Sequence, residues 1–158
     1  MSTVTINQYQ KRQFGGFTPF GNLTSLAFTL VTNASGAALN SDSSVALAVG
    51  DVVDLGPLPE GMRLEDASVF IATGMTATIT GSLGFKYEDG ADDSGVPQDA
   101  AYFGAGIDLA TTGRKRATGS KLVTLPKPAR LILTTAVAAN AKASDLKFLV
   151  SGELTGSR

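Results

Sequence analysis

Hydrophobic positions recur at every second residue along much of this chain, most regularly over 76–87, TATITGSLGFKY. There Ala77, Ile79, Gly81, Leu83, Phe85 and Tyr87 share one face of an extended strand, and Thr76, Thr78, Thr80, Ser82, Gly84 and Lys86 share the other. This alternation is the pattern of a strand with one face in a core. A lone strand or hairpin buries too little apolar surface to hold together in water, so the stripe predicts a second sheet packed against it. The same period marks 23–32 with Leu26, Phe28 and Leu30 inward, 64–72 with Ala67, Val69 and Ile71, 129–135 with Leu131 and Leu133, and 145–154 with Leu146, Phe148, Val150 and Leu154. Shorter extended runs are expected at 45–49 and 52–55, broken near Gly50, and again at 102–109 and 121–125.

Between these runs the chain carries turn chemistry. Asn33 to Gly36 ends the first strand, and 37–44 is small and polar, suited to a surface loop. Gly56-Pro57-Leu58-Pro59-Glu60-Gly61 reads as a corner that excludes both helix and central strand. The short connection at Thr73-Gly74-Met75 predicts an antiparallel hairpin between 64–72 and 76–87. A short helical turn is expected just before residue 102, and Pro126-Lys127-Pro128 makes a second corner. The alanine-rich stretch 136–144 suits a helix by propensity, but it is short and contains Asn140, so it is read as a loop. About eight short strands without an amphipathic helix predict an all-β, antiparallel β-sandwich. A jelly roll is the expected topology, although strand order is not contained in the pattern.

Residues 1–22 do not read as core. Lys11 and Arg12 precede Phe14-Gly-Gly-Phe17-Thr-Pro-Phe20, and three rings spaced by Gly and Pro fit neither a helix stripe nor a central strand. The expectation is an extended N-terminal arm over 1–22 and a single β-sandwich domain over 23–158. The arm either folds back to cap its own sandwich, seats its rings in pockets on a neighbouring subunit as aromatic anchors do, or is a disordered tail.

Composition narrows the chemistry. The formal net charge of −1 and the 17% charged residues give no reason to expect nucleic acid, an anionic membrane or an acidic substrate as partner. The absence of cysteine and histidine removes thiolate chemistry, the commonest general base, Ser-His-Asp triads and zinc-hydrolase sites. No signal-peptide core or run of membrane-spanning length is present, so a cytoplasmic protein, or one released without a signal, is expected. The acidic run 88–95 reads as a solvated loop, with a calcium or basic-partner contact as the alternative. Placing Asp89 first in an EF-hand loop puts Ala91 where an oxygen ligand is required. Arg114-Lys115-Arg116 reads as a solvated loop, with an acidic protein surface or, more weakly, phosphate as alternatives. Asp51 with Asp54, and Asp92 with Asp93, are paired carboxylates by arithmetic only, and no glycine-rich phosphate cradle occurs. No catalytic residue, metal site or cofactor is expected, and the chain does not read as an enzyme.

The polar arm running into Phe14-Gly-Gly-Phe17-Thr-Pro-Phe20, the segment from Asp51 to Gly61 feeding a β-hairpin, and the cysteine-free Gly/Ala/Thr-rich strands resemble the capsid decoration, or cement, proteins of tailed bacteriophages. The resemblance covers most of the chain and rests on architecture and composition. It implies a virion protein on the outer capsid surface, assembled in the host cytoplasm, that oligomerises as a dimer or trimer and staples neighbouring major capsid proteins after the head expands. Phe14, Phe17 and Phe20, with Lys11 and Arg12, are the partner-binding candidates. The alternative reading is another virion or surface β-module, a tail or fibre component or a carbohydrate-binding domain. The last is weakened by the absence of tryptophan and the presence of only three tyrosines as sugar platforms.

Overall fold

A computed structural model describes residues 1–7 and 22–154. Among these residues the elements are β1 (Thr3–Thr5), β2 (Asn22–Thr32), β3 (Val52–Leu58), β4 (Met62–Thr73), β5 (Thr80–Tyr87), β6 (Asp99–Asp108), β7 (Gly113–Arg116), β8 (Val123–Thr124), β9 (Ala129–Ala136) and β10 (Ser144–Leu154). They form two sheets, ordered β1-β3-β9-β5-β6 and β2-β10-β4-β7, with β8 continuing the line of β7 beside β4. Every pairing is antiparallel except that of β1 with β3. The chain changes sheet at β2–β3, β3–β4, β4–β5, β6–β7, β8–β9 and β9–β10. With β1 set aside as an added edge strand, this order is that of a jelly roll.

The alternating residues do what their spacing predicts. Leu26, Phe28 and Leu30 of β2, Val69 and Ile71 of β4, Leu83, Phe85 and Tyr87 of β5, Leu131 and Leu133 of β9, and Leu146, Phe148 and Val150 of β10 are all buried in one core. Each large side chain contributes about 1.5–3 kcal/mol by leaving water. The rings of Phe85, Tyr102 and Phe103 extend the core toward β6 in edge-on contacts, with centroids 5.5 and 4.9 Å apart.

Six sequence expectations are corrected, the first being the helical turn before residue 102, where β6 already begins at Asp99. The hairpin between 64–72 and 76–87 does not form, because β4 and β5 lie in different sheets. Residues 74–79 instead arch from one sheet to the other: Met75 N–H donates to Leu109 O, Leu109 N–H donates to Ile79 O, and the Met75 and Ile79 side chains fill the gap between the sheets. The arch passes so close to residue 110 that a Cβ on Gly74 would fall 1.8 Å from the Ala110 carbonyl oxygen. The segment Gly56-Pro57-Leu58 is part of β3, which lies between β1 and β9, rather than a corner outside the sheet. A bulge with Gly56 at φ 151° carries it there, and the β1 pairing ends at Asp54, so Pro57 faces an open edge where no N–H is required. Residues 45–49 form no strand and touch the body through an Ala37–Ala46 bridge. Arg114, Lys115 and Arg116 lie in strand β7 rather than a loop. Finally, part of 1–22 is core: β1 pairs in parallel with β3, and Val4 and Ile6 are buried.

Candidate assembly interface

Lys11, Arg12, Phe14, Phe17 and Phe20 lie outside the described residues. The remaining candidates occupy defined places. Arg114 stacks 5.0 Å from the Phe70 ring centroid and donates to Ser68 Oγ, Lys115 pairs with Asp108, and Arg116 pairs with Asp66 at 2.6 Å. These charges guard the short edge strand β7 against pairing with another strand. The carboxylate pairs are likewise committed. Asp54 accepts from Arg130 Nε at 2.9 Å with both groups buried, and Asp51 accepts from Ser2 N, Ser2 Oγ and Ala48 N. Burial opposes the charged form of Asp51, but these donors and the N-terminal amine outweigh it and hold its carboxyl below the ordinary range.

The two ends of the sandwich differ sharply in charge. One end carries loops 59–61, 88–98, 117–122 and 125–128, whose charged residues are Glu60, Glu88, Asp89, Asp92 and Asp93 against Lys121 and Lys127. The acids of the 88–98 loop brace its own backbone. Asp89 accepts from Ala91 N, Asp92 from Gln98 N, and Asp93 from Gly95 N and Val96 N. Lys127 clamps Asp89 at 2.8 Å while lying 4.5 Å from the Tyr87 ring centroid. Burial, followed by the nearby Asp93, Asp92 and Asp89, pushes the Tyr87 phenol up to about 12. A cleft of about 280 Å³ opens here between Val96, Pro97, Tyr102 and Val123. The Tyr102 hydroxyl in it is bonded to Leu64 O, Lys121 O and Val123 N, and Asp99 and Lys121, which also line it, pair at 3.6 Å. Among the described residues no group of three Asp, Glu, His or Cys could hold a metal ion, and no helix is long and apolar enough to cross a membrane.

The opposite end is built from loops 33–51, 74–79, 109–112 and 137–143, whose charged residues are Asp42, Asp51 and Lys142. Asn140, 1% exposed, joins them. Its Nδ2 donates to Thr32 Oγ1, Gly36 O and Lys142 O, its Oδ1 accepts from Thr76 N and Thr76 Oγ1, and its backbone N–H donates to Leu47 O. Thr135 fixes the 48–51 turn by donating from Oγ1 to Ala48 O and accepting from Gly50 N–H. From this braced frame Val45, Val49 and Val137 project into solvent, 71%, 54% and 67% exposed. Val137 does so at φ 72° and neighbouring Thr78 lies at φ 69°, a region that β-branched residues rarely occupy. Sequence reasoning missed this surface because 45–49 passed for a strand. The one available signal was an asparagine inside an alanine-rich loop.

No family model and no curated protein matches this chain. Among solved structures it is similar to a chain of the capsid of Ralstonia phage GP4, with TM-score 0.62 and 19% identity over 92% of this chain and 93% of that one. It is also similar to a chain of the cyanophage Pam1 capsid asymmetric unit, with TM-score 0.56 and 18% identity over 92% and 94%. The jelly roll is therefore a fold this chain shares with chains found in two phage capsids.

Proposed function

We propose that this chain is a structural virion protein that binds the outer surface of a phage capsid and cements neighbouring major capsid proteins, stabilising the expanded head. The observation that carries the reading is the correspondence of its jelly roll, over nearly the whole of both chains, with a chain of the Ralstonia phage GP4 capsid. The electrostatics support it. A net charge of −1 with an acidic end suits an outer surface better than contact with packaged DNA. The polar groups point the same way, since the buried carboxylates Asp51 and Asp54 and the Tyr102 hydroxyl are committed to structural hydrogen bonds. Its partners in this reading are the major capsid protein and further copies of itself, as a dimer or trimer, without nucleic acid, membrane or cofactor. Phe14, Phe17 and Phe20, flanked by Lys11 and Arg12, are the proposed anchors. A tethered second contact multiplies avidity without enlarging the first.

The test is co-sedimentation with expanded and unexpanded phage heads that lack this protein. The comparison is between the native chain and a variant carrying Phe14→Ala, Phe17→Ala and Phe20→Ala. Substitution is preferable to truncation because removing residues 1–22 would also strip Val4 and Ile6 from the core. Saturable binding to expanded heads, weakened at least tenfold in the variant, is the expected result. Binding to neither head form would defeat the cementing role, and undiminished binding of the variant would defeat the anchor assignment.

A further inference from the structure

We infer that the low-charge loop end of the sandwich, centred on Val45, Val49 and Val137, is the surface through which a second copy of this chain binds. The inference rests on the assembly reading above and adds to it a specific surface and occupant. Three features of the molecule converge on that end.

The first is exposure on a rigid frame. Three valines stand more than half exposed on loops that Asn140 and Thr135 tie to each other and to the strands below. A surface already ordered in the free molecule loses little conformational entropy when it docks. The second is strain. Val137 holds φ 72°, where its branched side chain is disfavoured, yet that side chain makes no use of the core. Strained residues of this kind persist where the surrounding structure enforces them, and they cluster at functional surfaces.

The third observation chooses the occupant. In a two-fold dimer the contact sets a patch against itself, so the patch must be compatible with its own charge. The opposite end, with five acids against two lysines, would face its own repulsion. The loops of this end bring Asp42, Asp51 and Lys142 to such a meeting, beside the N-terminal amine that faces Asp51, which is itself buried on Ser2 and Ala48. This end combines three exposed valines with little net charge.

Sedimentation velocity of the native chain over a concentration series, beside four variants, tests this. Val49→Asp and Val137→Asp are each expected to weaken self-association at least tenfold while leaving the melting temperature near that of the native chain, since both side chains are exposed. Val137→Gly is expected to raise the melting temperature by relieving the positive φ and yet still to weaken association. That pairing of effects separates a contact role from a folding role. Asp93→Lys, at the far end, is expected to leave association unchanged. A native chain that stays monomeric throughout would overturn the inference, as would association that survives both aspartate variants or responds only to Asp93→Lys. Head binding by the same variants is scored separately, so loss of self-association with retained head binding, or the reverse, shows which of the two readings has failed.

Discussion

Asn140→Ala is the most informative single perturbation of the loop end. Asn140 is 1% exposed and satisfies five side-chain hydrogen bonds at 2.9 to 3.3 Å, reaching Thr32, Gly36, Thr76 and Lys142. Removing the amide leaves Thr76 N–H without its acceptor, while Gly36 O keeps Leu47 N–H at 3.2 Å, Thr32 Oγ1 keeps Ser144 Oγ at 2.8 Å and Lys142 O keeps Thr32 Oγ1 at 2.9 Å. Each buried group stranded in this way costs about 1–3 kcal/mol. That one group and the small cavity left behind bring the expected loss to about 2–4 kcal/mol, a sizeable share of the stability of an ordinary domain. For a chain of this size that is a fall in melting temperature of about 4–16 °C. Scanning calorimetry is the suitable assay, because the chain has no tryptophan to report unfolding by fluorescence. Hydrogen exchange should locate the loosening in 33–36, 74–79 and 137–143 and leave β5 and β9 protected. A melting temperature within about 1 °C of the native value would refute the bracing role, because no stranded polar group costs so little.

The sequence reveals which residues face inward more readily than it reveals which strands are neighbours. Period-two alternation located β2, β4, β9 and β10 and most of β5, because burial of one sheet face is a local constraint on residue type. Pairing is not local. The residues of β4 and β5 are separated by a connection short enough for a hairpin, and what sends β5 to the other sheet is the fit of Met75 and Ile79 into the inter-sheet gap and of Gly74 against Ala110. None of that shape is encoded in alternation. Pro57 misled for a related reason: proline excludes a central strand only where the missing N–H is needed, and the early end of β1 removes that need. Val4 and Ile6 did alternate with Thr3 and Thr5, but a four-residue pattern beside a polar stretch carries too little signal to mark a strand. The loop end was illegible in another sense, since a valine on a braced turn and a valine on a strand face are the same letter. The difference lies in the frame built around Asn140.

Two further perturbations test other parts of this account. Arg130→Ala strands Asp54, whose nearest remaining cation is Lys86 at 3.8 Å, and should cost about 3–5 kcal/mol by chemical denaturation. Replacing both partners with Asp54→Leu and Arg130→Met should recover most of that loss, and a single variant costing under 1 kcal/mol would show that the pair is not buried in solution. The second perturbation concerns acid. Because donors from Ser2 and Ala48 hold the folded Asp51 carboxyl below its ordinary 3.8, the stability it contributes is fully present above that pH and is lost as pH falls through the folded value. Asp51→Asn keeps an acceptor for Ser2 but faces the Ala48 N–H with a donor, a loss of about 1.5 kcal/mol or about 3–6 °C at neutral pH. The melting temperatures of the native chain and this variant should therefore stand apart at pH 7 and converge as the pH drops below about 4. A gap that stays constant into acid would mean that Asp51 acts by packing alone. A gap that vanishes in this window would identify its charge as the clip holding β1, and with it Val4 and Ile6, against β3.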